Sequence, residues 1–223
     1  PVWPDLWAAM TYTVPLALAG LAIGLAVSLP LAVLATKRPG GLLDRAAVGV
    51  ASLGAAIPAY WLGLLLILLF AVQLRWLPAM GALTTAHAIL PAVTLGLGGA
   101  ASLTRIIRSG ILEARGQPFL PAIQRRGVTE RALARDHIAP HAAIPVVTLF
   151  GLELAFLLEG AVLVEVIFGR PGLGTFLVQA IVARDFPHVQ AVVVVTALAF
   201  VVVNLLIDII YRVIDPRIGA ENA

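Results

Sequence analysis

Three glutamates interrupt a long apolar stretch in the C-terminal half of this sequence: Glu153, Glu159 and Glu165. A carboxylate in a membrane span is costly unless it faces protein or water, so such a residue is a functional hypothesis by default. In a helix, steps of six residues rotate each glutamate by about 240°, so one face cannot carry all three. We expect Glu165, near the end of the stretch, to reach water. Glu153 and Glu159 are candidates for lining a pathway, and the alternative is a hydrogen bond to a neighbouring helix or a partner's arginine.

A pair of histidines, His137 and His141, has the spacing of two metal ligands on one helix face. With Asp136 the pair suggests the His-Glu-x-x-His site of a membrane metalloprotease. That motif needs a glutamate as general base, and this chain has Ile138 in its place. Pro140 would also interrupt the helix. A metalloprotease is therefore a remote alternative, and we predict no metal site.

No segment reads Gly-x-x-x-x-Gly-Lys-Ser/Thr, the loop that cradles the phosphates of ATP. The glycine-rich run GRPGLG at 169–174 lacks the lysine, and we predict that it forms a turn into an outer re-entrant or surface helix. The chain has no cysteine, so it has no disulfide framework and no thiolate metal site. We therefore predict that this chain is not an enzyme and holds no cofactor.

The composition is that of a membrane protein. Of 223 residues, 61% are hydrophobic and only 12% are charged, whereas soluble domains are nearer a quarter charged. A bilayer span needs roughly 20 mainly apolar residues, and a helix satisfies its own backbone groups in lipid. We predict an all-α membrane protein with one membrane domain at 1–223. Its five predicted spans are Thr13–Thr36, Ala46–Leu74 (long enough to bend near Pro58), Ala88–Ile107, Ala142–Phe168 and Val189–Tyr211.

The basic residues indicate the orientation of these spans. Twelve of the 15 Lys and Arg residues fall in the loop 37–45, the segment 105–135 and the C-terminal tail. The positive-inside rule places these regions in the cytoplasm, so the basic charge indicates sidedness and not nucleic-acid binding. We expect Trp3, Trp7 and Trp76 to anchor the outer side, where 169–188 forms an extracytoplasmic loop. A cytoplasmic C-terminus after five spans puts the N-terminus outside, so we expect a sixth span upstream in the complete protein.

The cytoplasmic segment 109–141 is longer than a plain connector. It begins as a helix, is interrupted at Gly116 and Pro118, and resumes after Gly127 with Thr129 as a predicted helix cap. Apolar residues then alternate with arginines, which predicts a short amphipathic helix parallel to the membrane. Such a helix docks into a partner's groove or lies at the lipid headgroups, and the pattern alone leaves both open.

This segment resembles the cytoplasmic motif of ABC importer permeases. That motif reads Glu-Ala-Ala, three residues, Gly, nine residues and Ile-x-Leu-Pro, a spacing that matches Ala122, Gly127 and Pro140 here. This chain departs from it, with Pro121-Ala122-Ile123 in place of Glu-Ala-Ala and His137-Ile138-Ala139 in place of Ile-x-Leu. Other stretches are similar to the dipeptide/oligopeptide/nickel subfamily: IPAYWLGLLLILLF (57–70), WLPAMG (76–81), ILPAVTL (89–95), AIPVVTLFGLEL (143–154), FGRPGLGTFLVQAIVARDFPHVQ (168–190) and NLLIDIIYRVIDPR (204–217).

The resemblance implies a type I ABC importer permease fold in a bacterial inner membrane. Its expected partners are a second, different permease subunit that forms a heterodimer with this one, an extracytoplasmic substrate-binding protein and two ATP-binding cassette subunits that bind ATP and Mg. The expected ATPase-coupling residues are Ala122, Arg125, Arg126, Gly127, Glu130, Arg131, Arg135 and Pro140. The expected substrates are dipeptides, oligopeptides or nickel. The alternative is an ion-coupled secondary transporter, but such carriers often show internal repeats, and no clear repeat relates the two halves here.

Overall fold

A computed structural model describes residues 2–143, 146–147 and 161–214 of the chain. Its labelled helices are α1 (Val2–Thr36), α2 (Leu42–Ala56), α3 (Ala59–Leu66), α4 (Ala86–Arg115), α5 (Leu120–Arg125), α6 (Glu130–Leu133), α7 (Leu173–Val182) and α8 (Phe186–Ile214). Helix α3 continues as a π-helix over Ile67–Gln73, and α6 continues as one over Ala134–Ile138. Residues 161–167 are also helical.

Three of these helices are long and apolar enough to cross a membrane: Val2–Thr36, Ala86–Arg115 and the Phe186–Ile210 part of α8. They correspond to the first, third and fifth predicted spans. Helix α1 begins well before the predicted start at Thr13, because its first turns pack on the outer helices through Leu6 and Ala9. The fourth predicted span, Ala142–Phe168, lies largely outside the described residues.

The second predicted span is a bent pair of helices. Leu42–Gly54 and Ala59–Gln73 meet at an angle of 92°. The residue before a proline is pushed out of the helical region, and Ile57 is accordingly extended, with φ −88° and ψ 117°. The predicted bend near Pro58 is confirmed, and the bend is far sharper than a kink within one helix.

Helices α1 and α4 touch through their backbones. Gly20 and Gly24 of α1 face Gly96 of α4, where an added Cβ would lie 2.6 Å from the Gly20 carbonyl oxygen and 2.8 Å from the Ile23 side chain. Small residues at four-residue spacing are how membrane helices approach this closely. Beside this contact the core contains Leu16, Leu21, Leu90, Leu95, Val164 and Phe168.

The molecule has two distinct ends. At one end, called the outer end because the positive-inside rule predicts that it faces away from the cytoplasm, the backbone N–H of Gly81 donates to the carbonyl of Phe168 at 2.8 Å. This end also carries Trp3, Trp7 and Trp76, which are 60%, 59% and 71% exposed, as expected of interfacial anchors. At the other, inner end, Thr36 and Asp44, which flank the loop 37–41, contact the C-terminal turns of α4. The two loops predicted to be cytoplasmic therefore share one end of the fold.

Candidate coupling site

The predicted coupling segment, 109–141, starts as the last turns of α4. A turn follows at 116–119, where the helix was predicted to break, and leads into α5 and α6. The backbone of Gly127 between these two helices has φ +77°, a conformation that L side chains rarely adopt. An added Cβ there meets nothing within 4 Å, so Gly127 serves the tight turn and not a close approach within this chain.

Thr129 caps α6 as predicted. Its hydroxyl oxygen accepts a hydrogen bond from the backbone N–H of Ala132 at 3.3 Å, and Glu130 lies in the first turn. A capping hydroxyl and an early acidic residue both satisfy the amide end of a short helix. The start of α6 is therefore built into the local sequence.

One apolar face holds the segment to the rest of the molecule. Leu133 and Ile138 are buried together with Leu120, Ala114 and Ala142. Ile111 of α4, Ile123 of α5 and Val128 pack against this cluster. The segment is thus amphipathic, and its underside is occupied by the end of α4.

The opposite face is exposed. All eight predicted coupling residues are exposed: Ala122, Arg125, Arg126, Gly127, Glu130, Arg131, Arg135 and Pro140. The guanidinium of Arg135 donates to Asp136 at 2.6 and 3.1 Å, and this hydrogen bond lowers the pKa of the Asp136 carboxyl. The structure therefore brings these residues onto one surface segment.

One prediction about this segment is wrong. Pro140 was expected to stop the coupling helix, but the chain is helical at 130–143 and passes through Pro140. Pro140 has no N–H to donate and its ring crowds the carbonyl of the preceding turn. The widened π-turn over Ala134–Ile138, in which the N–H of Ala139 bonds to Ala134, lies directly before it and relieves this conflict.

The two histidines lie on this continuous helix. The ring of His141 packs against Phe119 with 5.2 Å between ring centroids, and Ile138, in the place of a catalytic glutamate, is buried in the apolar cluster. Within the described parts of the chain, no three His, Cys, Asp or Glu residues are grouped so that they could hold a metal ion.

Two arginines fasten the end of α4 to the first turn of α2 and to the last residue of α1. Arg108 donates from Nε and Nη2 to the two carboxylate oxygens of Asp44, at 2.6 and 2.7 Å. The backbone N–H of Gly40 also donates to Asp44, at 2.7 Å. Arg115 donates to the carbonyl of Thr36, the last residue of α1, at 2.7 Å. The sequence analysis counted these arginines for sidedness and did not identify their partners.

At the outer end, the prediction that Glu165 reaches water is wrong. The residue is fully buried, and its carboxylate accepts from the Thr13 hydroxyl at 2.5 Å and from the Gly174 backbone N–H at 2.7 Å. The N–H of Leu173 donates in turn to the Thr13 hydroxyl at 2.8 Å. The carboxylate therefore caps the N-terminus of α7 and joins it to α1.

The predicted turn at 169–174 is confirmed, and it leads into α7. An added Cβ at Gly174 would collide with Val162 and would lie 3.0 Å from a Glu165 oxygen, so this glycine permits the contact. Arg170 in this turn is 6% exposed, donates to the His87 carbonyl at 3.2 Å and lies 6.0 Å from the centre of the Tyr12 ring. Burial lowers the pKa of Arg170, and the nearby Glu165 opposes that shift.

Residues 28–220 match the family described as "Binding-protein-dependent transport system inner membrane component". The chain belongs to this family. Among its relatives is the glutathione transport system permease protein GsiC of Salmonella choleraesuis strain SC-B67, with 38% identity over 215 residues, 96% of this chain and 68% of that protein. GsiC of Escherichia coli K12 is 37% identical over the same coverage.

Solved structures show the same fold for this permease. The MetNI methionine ABC transporter in an inward-facing conformation matches with a TM-score of 0.80 and 20% identity, over 95% of this chain and 96% of that chain. An amino acid ABC transporter with histidines matches with a TM-score of 0.71 and 18% identity, over 94% of each. The chain therefore has the type I ABC importer permease fold, and it is a transport subunit of an ABC importer from an inner-membrane family.

The remaining predicted site residues of this permease, Glu153 and Glu159, lie outside the described residues. The roles of Asp44 and Thr13 are not visible in the sequence pattern. Their partners lie 64 and 152 positions away in the chain, so no local spacing reveals the pairs. The available signal was weaker: an acidic residue in a basic loop, and an acidic residue eight positions before the start of an apolar helix.

Proposed function

We propose that this permease lines the membrane pathway of an importer for small peptides, driven by two ATP-binding cassette subunits, one of which docks on its 109–141 segment. A second permease subunit completes the pathway, and an extracytoplasmic binding protein delivers substrate at the outer end. The partner ATPases bind ATP and Mg. The C-terminus lies in the cytoplasm with the coupling segment.

The observation that carries this proposal is the division of the coupling segment into two faces. Its underside is buried against α4, whereas its eight predicted coupling residues are exposed. A helix held only by lipid headgroups would direct apolar residues outwards into the bilayer. Here the apolar face is occupied within the chain, and the exposed face carries charge suited to a soluble partner.

The names of the relatives support a peptide as the substrate. GsiC proteins are named for glutathione transport, and glutathione is a tripeptide. The resemblance noted from the sequence covers dipeptides, oligopeptides and nickel. Short peptides are the substrates common to both, and nickel is the other candidate.

Uptake by the complete complex in proteoliposomes tests the function. ATP trapped with the ATPases should drive uptake of labelled glutathione or a dipeptide through the binding protein. Uptake of Ni²⁺ alone would replace the peptide assignment. Uptake driven by an ion gradient, with no dependence on ATP, would show a secondary transporter and overturn the proposal.

Charge reversal tests the docking surface. Arg126→Glu should reduce co-purification of the ATPase by about tenfold, as expected when an interfacial charge becomes repulsive. Arg38→Glu is the matched control, because Arg38 is exposed at the same end but lies outside the segment. Equal ATPase recovery with both variants would show that the segment does not dock the ATPase.

We also propose that Glu153 or Glu159 faces the pathway and favours the amino terminus of a peptide. Replacing both by Gln keeps their size and removes their charge. Peptide uptake should fall while assembly and ATP hydrolysis persist. Unchanged uptake by an intact complex would remove both residues from the pathway.

A further inference from the structure

The contact between Asp44 and Arg108 is a two-pronged ion pair at the inner end. The Asp44 side chain is 6% exposed and that of Arg108 is 26% exposed. With the Gly40 N–H, the carboxylate accepts three hydrogen bonds, all between 2.6 and 2.7 Å. A planar guanidinium bound at two points fixes orientation as well as distance, and such charge-assisted bonds are the strong ones. The first turn of α2 is therefore held rigidly to α4.

A second contact lies two turns further along the same helix. Arg115 donates to the carbonyl of Thr36, one of the α1 carbonyls that lacks a partner within its own helix. A cation at a helix C-terminus also interacts favourably with the helix dipole. The end of α4 thus holds both α1, at its last residue, and α2, at its first turn.

The same turns of α4 support the coupling segment. Ala114 is buried with Leu133 and Ile138, and Ile111 packs against them. Between α1 and the helical residues 134–143, by contrast, an apolar crevice of about 340 Å³ remains, with Leu29, Val33 and Ala139 among its lining residues. Contact between residues 134–143 and α1 is therefore incomplete, and the end of α4 with its two arginines connects them.

We propose that Asp44, Arg108 and Arg115 form a clamp that passes movement of the coupling segment through α4 to α1 and α2. They are positioning residues for ATP-driven transport, and they do not contact nucleotide. This inference rests on the proposed docking of ATPases on 109–141. Because the segment is packed on the end of α4, its movement displaces that end. The ion pair, which resists both separation and rotation, and the Arg115 hydrogen bond then carry α2 and α1 with it.

The test compares ATP hydrolysis with transport in the complete complex. Asp44→Asn keeps the size of the side chain and removes its charge. It should reduce peptide transported per ATP hydrolysed by about tenfold, the effect expected from weakening one charge-assisted contact, while ATPase co-purification stays at the wild-type level. A residue that merely stabilises the fold would lower assembly or both activities together and leave the ratio unchanged.

Two further variants separate the clamp from a folding effect. Arg108→Lys keeps the charge and loses the two-pronged geometry, so it should lower the ratio less than Asp44→Asn. The double exchange of Asp44→Arg with Arg108→Asp should recover part of the ratio, and only part, because Gly40 loses its acceptor. Asp5→Asn is the matched control, since Asp5 is an exposed carboxylate near the outer end of α1. It should leave the ratio unchanged.

If both Asp44→Asn and Arg108→Lys transport as much peptide per ATP hydrolysed as the wild type, the clamp proposal is overturned. A lowered ratio that the double exchange does not raise would also overturn it. Neither result affects the proposed function, which is tested by ATPase co-purification with the wild-type chain. If the wild-type chain binds no ATPase, the docking proposal fails and the clamp fails with it.

Discussion

The outer cluster around Glu165 and the exposed face of the coupling segment use charged residues in opposite ways. At the outer end, the Glu165 carboxylate is buried and is satisfied by Thr13 and Gly174 of the same chain. On the coupling segment, Arg125, Arg126 and Arg131 are exposed above an apolar face that the chain has already covered. Buried charge with internal partners holds this fold together, and exposed charge on a fixed helix is available to another subunit.

Removing the Glu165 carboxylate should have the largest effect. Glu165→Ala leaves the N–H groups of Gly174 and Thr175 without their acceptor, and the Thr13 hydroxyl keeps only the Ala9 carbonyl, at 3.4 Å. Each buried unsatisfied group costs about 1–3 kcal/mol, so we expect a loss of about 3 kcal/mol in the free energy of unfolding. Thermal unfolding in detergent measures it. Glu113→Ala, at an exposed glutamate of α4, should change little, and equal melting of the two variants would contradict the capping role.

The salt concentration should affect ATPase binding by the coupling segment more than it affects the stability of the outer cluster. Exposed charges are screened, with a Debye length near 10 Å at about 0.1 M, whereas buried pairs are screened much less. Raising salt from about 0.05 to about 0.5 M should weaken ATPase binding roughly tenfold and leave thermal stability of the isolated permease nearly unchanged. Binding titrations in nanodiscs measure the first quantity. Arg131→Gln should reduce the salt dependence, and an unaltered dependence would place Arg131 outside the interface.

A smaller effect is expected at Gly127. Gly127→Ala places a Cβ on a backbone with φ +77°, at a cost of about 1–2 kcal/mol, although the space around it is open. Asparagine tolerates this conformation better, so Gly127→Asn should be milder. Hydrogen exchange of the amides at 120–133 should rise more in the alanine variant. The reverse order would show that the cost is not backbone strain.

The smallest effect should appear at the outer turn before α8. The ring of His188 lies 2.7 Å from Asp185 and holds the pKa of that carboxyl below its ordinary 3.8. A lowered carboxyl pKa contributes stability above the ordinary value, and this contribution disappears as pH falls through the lowered pKa. The melting temperatures of wild type and Asp185→Asn should therefore differ slightly at about pH 6 and converge towards about pH 3. A constant difference would assign the effect to packing.

Much of this fold could be predicted from hydrophobic length and basic loops. Apolar runs located the helices that cross the membrane, Pro58 located the bend, and Thr129 located the start of α6. These features are local, because both the hydrogen bonding of backbone groups in lipid and the capping of a helix depend on neighbouring residues.

The errors concern contacts between distant residues and the tolerance of a helix for proline. The position of Glu165 near the end of a span predicted contact with water. Its burial instead depends on Thr13 of α1 and on α7, whose N-terminus lies against both residues. Pro140 is a helix breaker in isolation, yet the π-turn before it lets the helix continue. Asp44 and Arg108 could be paired only once α2 and α4 were known to meet.

The contact of Gly20 and Gly24 with Gly96 couples the movement of α1 to that of α4. The two backbones approach directly at these glycines, with Ile23 and Leu95 packed beside them, so we expect the pair to tilt as one body. A helix of 30 residues such as α4 is about 45 Å long, and a tilt of about 10° displaces its far end by about 8 Å. A small rotation of the pair at one membrane surface would therefore produce a displacement of that size at the other surface.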